Sequence, residues 1–190
     1  MEKINDSVKQ RIRSITNNKR ILIIILIFLF LVLYVGTHFK RIFFISVLTV
    51  IGSLSLIYVR FIKEAYVLGV ELVMFATILC GYAYGPVVGG IVGFITIFVS
   101  QIYSGRFKLS TFISIVFVPV IGIAASFFYF YPINRVGIIL VLIYDIFILP
   151  LYYITGSRIS SVIIYFATHI LFNIWLFDSI APGVLKIMGV

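Results

Sequence analysis

Charged residues are scarce in this sequence. Only 11% of the 190 residues are Asp, Glu, Lys or Arg, whereas 63% are hydrophobic. A soluble domain of this length cannot bury so much apolar side chain, so the composition excludes an ordinary soluble protein. We expect an all-α fold, a polytopic transmembrane helical bundle.

Residues that carry familiar chemistry are also few. The single cysteine, Cys80, cannot form a disulfide within the chain. The two histidines, His38 and His169, lie far apart in sequence and no Cys–His set has metal-ligand spacing, so we predict neither a metal site nor a cofactor. Motifs of nucleotide-binding loops, serine hydrolases and zinc proteases are absent. We therefore expect no enzyme activity, and active transport would need an ion gradient or a partner that hydrolyses ATP.

Positive charge is concentrated outside the apolar runs. The formal net charge is +9, and six Lys and Arg residues lie within the polar residues 1–20. We interpret this charge as an orientation signal that contacts membrane lipid, not as a surface for nucleic acid. The predicted organisation is a basic cytoplasmic tail over residues 1–20, followed by a single transmembrane helical bundle over residues 21–190.

Seven apolar segments approach the length of about 20 residues that a membrane span needs, which predicts about six or seven spans. They cover residues 21–37, 42–61, 66–84, 86–103, 110–131, 136–156 and 160–178. If all seven cross, about 11 Lys and Arg residues lie on one side and about 4 on the other. That asymmetry predicts a plasma-membrane protein with a cytoplasmic N-terminus and with Gly85-Pro86 outside. If the first or second segment does not cross, every later segment is inverted.

Glycine recurs at every fourth position in the stretch "CGYAYGPVVGGIVG", at Gly81, Gly85, Gly89 and Gly93. Pro86 follows Gly85 directly. Glycine is common just past a helix end and proline at the first helical position, so the pair predicts a tight hairpin between the third and fourth spans. Gly89 and Gly93 then form a face for close helix packing.

Three ionisable side chains lie inside apolar segments. Glu71 is predicted one turn into the third span, Asp145 near the middle of the sixth, and His169 in the last, with Asn173 four residues further on. A charge at bilayer depth costs about 2.5–3.5 kcal/mol on insertion scales, so each should have a partner. We predict that these four residues bind a ligand; the alternatives are a local ion pair for Glu71, a neutral Asp145 and a helix–helix hydrogen bond from His169. Tyrosines near the span ends fit an interfacial belt or the wall of a site for a flat ligand: Tyr82, Tyr84, Tyr129, Tyr131, Tyr152 and Tyr153.

The stretch from Gly69 to Gly105 resembles the S components, which are the substrate-binding membrane subunits of energy-coupling factor transporters. Those small hydrophobic proteins usually have six helices and carry a GP-x-x-G-x-x-x-G pattern, which begins here at Gly85 and ends at Gly93. The polar "HILFN" of the last span also fits. The resemblance implies capture of a vitamin-like small molecule, a Gly-Pro turn on the cytoplasmic side, and energy supplied by a separate transmembrane coupling subunit with ATPases.

The chain is also similar to the small rod-shape-determining (MreD-like) membrane proteins. That likeness implies a non-catalytic scaffold that assembles partners through the glycine face. A third hypothesis is an ion-coupled carrier or an intramembrane enzyme that uses Glu71, Asp145 and His169. The substrate-binding subunit of a small-molecule uptake transporter is the function that the sequence favours.

Overall fold

The chain is described by a computed structural model over residues 19–62, 67–105 and 109–190. Within these residues the regular structure is entirely helical, which confirms the predicted all-α class. The α-helices are α1 (Lys19–His38), α2 (Lys40–Leu54), α3 (Val73–Tyr84), α4 (Pro86–Ser104), α5 (Leu109–Ala125), α6 (Ile133–Ile154), α7 (Ile159–Trp175) and α8 (Ala181–Met188). A π-helical turn, Leu176–Ile180, joins α7 to α8, and single 3₁₀ turns follow α2 and α5 at Ile57–Arg60 and Ser126–Phe128. Almost all of the predicted basic tail lies outside the described residues.

Five helical segments are long and apolar enough to cross a membrane: Lys40–Arg60, Pro86–Ser104, Thr111–Phe128, Ile133–Ile154 and Ile159–Met188. Two apolar segments are shorter, Ile21–Tyr34 and Val73–Tyr84. Each of the seven predicted apolar segments overlaps one of these helices. The chain is therefore built as a multi-pass membrane protein, and its many exposed apolar side chains are suited to contact with lipid.

The third helix begins later than the sequence predicts. It starts at Val73 rather than near residue 66, so the prediction that Glu71 lies one turn inside it is wrong. The cause is local, because the Glu71 carboxylate accepts hydrogen bonds from the amides of Val73 and Met74. The first amides of a helix have no partner within the helix, and a preceding acidic side chain satisfies them.

The chain divides into two units between Phe43 and Phe44. In the first unit, α1 exposes nearly all of its apolar side chains from Leu22 to Leu33. In the second unit, α3 occupies the centre, because every residue from Val73 to Gly81 is buried. A helix that is apolar on all sides is surrounded either by other helices, as α3 is, or by lipid.

Glycine lets three of these helices meet backbone to backbone. A Cβ atom at Gly89 would overlap the carbonyl oxygen of Gly122 on α5 and would lie 2.6 Å from Cα of Gly81 on α3. At the hairpin, Gly85 adopts φ +97°, a conformation that glycine reaches without strain, and α4 begins at the next residue with Pro86. Gly93 packs against Pro119 of α5 in the same way. This close packing fixes the relative positions of α3, α4 and α5.

Candidate functional site

The three ionisable residues of the apolar segments converge on one point in the second unit. His169 Nδ1 lies 2.8 Å and 2.9 Å from the two carboxylate oxygens of Asp145, and His169 Nε2 lies 2.9 Å from Oε1 of Glu71. The exposed fractions are 0% for His169, 2% for Asp145 and 5% for Glu71. We call these three residues the buried triad.

Three different elements supply the buried triad. Asp145 projects from the middle of α6, His169 from α7, and Glu71 from the turn before α3. The two carboxylates therefore hold the imidazole from opposite sides. The hydrogen bonds also tie the short central helix α3 to the long helices α6 and α7.

Gly69 lets the turn before α3 lie directly on α7. A Cβ atom at Gly69 would overlap Cβ of His169 and would lie 2.6 Å from the carbonyl oxygen of Tyr165. The Gly69 amide donates a hydrogen bond of 2.8 Å to Oγ1 of Thr168, which anchors the turn. Because Glu71 is two residues further on, this contact sets the distance between its carboxylate and the imidazole.

Asn173 lies one turn beyond His169 on α7. Its side-chain amide donates to the carbonyl oxygen of His169 at 2.9 Å, so it contacts the backbone next to the buried triad and not the carboxylates. Asn173 is fully buried, and its Oδ1 atom has no hydrogen-bond partner among the described residues. A buried acceptor without a donor is costly, because it has lost its water without gaining a bond. This atom is a free acceptor beside His169.

The hydrogen-bond geometry of the buried triad sets the smallest number of protons that it can hold. A neutral imidazole has one N–H and one lone pair, so it can donate to only one of two carboxylates. Both ring nitrogens face carboxylate oxygens here, so a second proton must be present, either on the ring or on one carboxyl group. With an imidazolium of charge +1 and two carboxylates of charge −1, the triad carries −1. Moving either proton along its hydrogen bond leaves this sum unchanged.

A cavity of about 110 Å³ adjoins the buried triad at the end of the second unit that lies away from Gly85. Glu71 is part of its wall. The other lining residues come from the segment after α2, the turn before α3, and α3 to α7: Leu56, Val59, Leu68, Val73, Met74, Ile97, Gln101, Ser104, Ser114, Val118, Tyr144, Tyr152 and Tyr165. The cavity thus combines an apolar frame with carboxylate, hydroxyl and amide groups, which is the usual composition of a small-molecule site.

Tyrosines form the polar wall of this cavity. Tyr144 donates to Oγ of Ser114 at 3.1 Å, and the hydroxyl groups of Ser114 and Tyr152 are 2.5 Å apart. Tyr165 stacks on the imidazole of His169, with ring centroids 5.3 Å apart and an interplanar angle of 13°. The wall is therefore aromatic and internally hydrogen-bonded.

Sequence reasoning found the charged part of this site and missed most of its wall. The sequence predicts for Tyr152, as for the other tyrosines near span ends, either an interfacial belt or the wall of a site. It does not predict a role for Tyr144, Tyr165 or Ser114. One signal was available, because Tyr165 precedes His169 by four residues and so shares its helical face. The Ser114 hydroxyl gave no such signal, since serine is common inside apolar helices.

Comparison with protein-family models, with curated proteins and with solved structures finds no match for this chain. The site therefore has to be interpreted from its own geometry.

Proposed function

We propose that this chain is an integral membrane solute-binding protein, the substrate-binding subunit of an uptake transporter for a small molecule. The observation that carries the proposal is the buried triad beside a polar cavity at one end of an apolar helical bundle. The resemblance of the Gly69–Gly105 stretch to S components points to the same function.

The energetic cost of the buried triad supports a functional role. Removing charged groups from water costs several kcal/mol per ion even after relaxation, and apolar replacements of buried ion pairs are often neutral or stabilising. A bundle that needed only stability would be served by apolar residues at Glu71, Asp145 and His169. Charged groups inside a membrane protein most often mark the place where a solute or an ion binds.

The geometry favours binding over catalysis. Both ring nitrogens of His169 are engaged by carboxylates, so neither is positioned to take a proton from a substrate. The same contacts leave no ring nitrogen for a metal ion, and no cluster of His, Cys, Asp and Glu in the described residues is suited to hold one. A site with fixed, satisfied side chains next to a cavity is preorganised for recognition.

For uptake, the cavity end of the second unit must face outward. We place Gly85-Pro86 on the cytoplasmic side, as the S-component resemblance implies, together with a cytoplasmic N-terminus in the plasma membrane. This orientation requires that one of the first two apolar segments does not cross, and we propose that it is α1, because its apolar segment Ile21–Tyr34 is shorter than Lys40–Arg60. The chain has no nucleotide-binding motif, so energy would come from a separate coupling subunit with ATPases.

A ligand panel tests the proposal directly. The purified full-length chain is heated in detergent with vitamins, amino acids, amines and other small solutes, and its melting temperature is recorded. A ligand that binds only the folded state raises this temperature, by roughly 5–10 °C at about 100 times its Kd. The same solute should have little effect on the Glu71→Gln variant. A panel in which no solute raises the melting temperature would contradict solute binding.

A membrane scaffold is the second candidate, and one feature favours it. An entirely apolar groove of about 440 Å³ lies on the second unit between α2, α3 and the α7–α8 helix. Its walls are suited to an apolar partner helix: Phe44, Val47, Leu48, Ile51, Leu72, Phe75, Ala76, Phe172, Trp175, Leu176, Ile180 and Val184. A scaffold would retain its crosslinks to one membrane partner when Asp145→Asn and Glu71→Gln are introduced, and a solute-binding subunit would lose ligand-induced stabilisation.

A further inference from the structure

We propose that the solute is a small organic cation with a single positive charge. This inference rests on the proposed function and names the class of solute that the cavity takes. It follows from the charge of the buried triad, from the residues of the cavity wall, and from the cavity's size.

One more positive charge would neutralise the buried triad. Its hydrogen bonds require at least two protons, and with two the net charge is −1 in a place where only 5% or less of each side chain is exposed, so either a bound cation or a third proton balances it. An unbalanced charge in an apolar interior is strongly disfavoured. A bound cation of charge +1 would bring the site to neutrality without breaking any hydrogen bond described above.

The described part of the cavity wall holds no positively charged side chain that could balance the buried triad. No described Lys or Arg lines the cavity, and the described basic residues nearest to it along the chain, Arg60 and Arg158, are exposed. The wall instead offers acceptors. A carboxylate has about four acceptor positions, and Glu71 uses three of them, for the Val73 amide, the Met74 amide and His169. These three donors therefore leave one acceptor position of the carboxylate unused, and Glu71 lines the cavity.

The aromatic wall suits a cation as well. Tyr144, Tyr152 and Tyr165 line the same cavity as Glu71. The face of an aromatic ring attracts a cation, and alkylammonium groups are typically held by several such rings with a carboxylate nearby. An anion would be repelled by the Glu71 carboxylate and by the ring faces.

The cavity limits the solute to a small molecule. Its volume of about 110 Å³ is below the roughly 150 Å³ of an engineered protein cavity that takes benzene. Methylammonium and tetramethylammonium are within this limit, and choline is close to it. A vitamin of the size that the S-component resemblance implies would need a larger space.

Matched pairs of probes test the charge of the solute. The full-length chain is melted with methylammonium, tetramethylammonium or choline chloride, and with the neutral analogues tert-butanol and 3,3-dimethylbutan-1-ol, which copy the shapes of the last two cations. Sodium chloride at the same ionic strength is the baseline. We expect at least one cation to raise the melting temperature by several degrees and its neutral analogue to have no comparable effect.

Three variants assign this effect to the buried triad. Glu71→Gln and Asp145→Asn each remove the surplus negative charge, so either should abolish the cation-induced rise. Two variants are used because either alone could fail to fold. Asp178→Asn removes a carboxylate that is exposed and belongs to the π-helical turn, and it should leave the rise intact.

The outcomes separate this inference from the proposed function. A neutral analogue that stabilises the chain as well as its cation would overturn the charge of the solute and leave solute binding standing. The same holds if larger or anionic solutes in the broader panel bind while none of these cations does. A cation effect that persists in both triad variants would overturn the location. If neither these probes nor the broader panel stabilise the chain, both proposals fail.

Discussion

Individual residues decide what this protein can do. The chain has six acidic residues and two histidines, and two of the acids and one histidine meet in the buried triad. Their scarcity is what makes them conspicuous within apolar segments. An ionised group there needs a partner, and the structure shows that Glu71, Asp145 and His169 are partners of each other.

The buried triad can be tested by comparing two substitutions of one residue. Glu71→Gln keeps one acceptor oxygen, for His169 and the Met74 amide, and removes the surplus charge, but it loses the acceptor for the Val73 amide, so the ligand-free variant should be destabilised less than the alanine variant. Glu71→Ala leaves the His169 N–H and the first amides of α3 without an acceptor, which should cost roughly 1–3 kcal/mol relative to the glutamine variant. Thermal unfolding without ligand measures both. A glutamine variant as unstable as the alanine variant would show that the ion pair is structural.

The hydroxyl of Tyr152 offers a test of the cavity wall with a neighbour as its control. Tyr152→Phe removes one of the two hydroxyl partners of Ser114, which should lower stability by roughly 0.5–1.5 kcal/mol. Tyr153→Phe changes an exposed side chain and should have no effect. Equal melting temperatures for the two variants would contradict the described network.

The charged residues of the site could be predicted from the sequence, but their spatial proximity could not. Glu71 and His169 are 98 positions apart, and Asp145 and His169 are 24 positions apart. No periodicity links residues on different helices, so only tertiary packing shows that they share one point. The cavity-lining role of the tyrosines could not be predicted for another reason. The chain has 12 tyrosines, and in a membrane protein an interfacial belt is the simpler interpretation of so many.

At the scale of elements, α3 organises the molecule. It has only 12 residues, about 18 Å at 1.5 Å per residue, and it is buried on all sides. One end carries Glu71 and the cavity, and the other carries the Gly85-Pro86 hairpin. The hairpin could be predicted because glycine and proline act locally. The start of α3 could not, because apolar residues continue through the turn before it.

The glycine contacts of α3, α4 and α5 predict different effects at two adjacent positions. Gly89→Ala places a methyl group against the backbone of α5, which should cost roughly 1–3 kcal/mol or more because backbone cannot move aside. Gly90→Ala meets the side chain of Ile123 at 3.1 Å and the Pro119 carbonyl oxygen only at 4.0 Å, an ordinary van der Waals distance, so it should be tolerated. Unfolding in denaturant compares the two variants. Equal stabilities would contradict the close helix packing.

At the scale of the whole molecule, the proposed uptake function depends on which side of the membrane the cavity faces. The Lys and Arg counts predict a cytoplasmic N-terminal tail, but they do not decide whether α1 crosses. If α1 crosses together with the six later spans, the cavity faces the cytoplasm; if α1 does not, it faces outward. Uptake requires the second arrangement.

Two single-cysteine variants in a Cys80→Ala background distinguish these arrangements. Ser157→Cys lies in the turn between α6 and α7 at the cavity end, and Tyr129→Cys is exposed near the Gly85-Pro86 end. In intact cells a membrane-impermeant maleimide should label position 157, and it should label position 129 only after permeabilisation. The reverse pattern would place the cavity inside and would contradict an uptake function.

Mass spectrometry of the small molecules that co-purify with the protein tests most directly whether a solute binds at the buried triad. The full-length wild type and the Glu71→Gln variant are purified in parallel, denatured, and the small molecules that they release are quantified. We predict one small cationic solute that is near-equimolar with the wild type and at least about tenfold depleted in the variant, which corresponds to a loss of about 1.4 kcal/mol or more in binding free energy. Wild type and variant that release the same small molecules in the same amounts would contradict the assignment of this site.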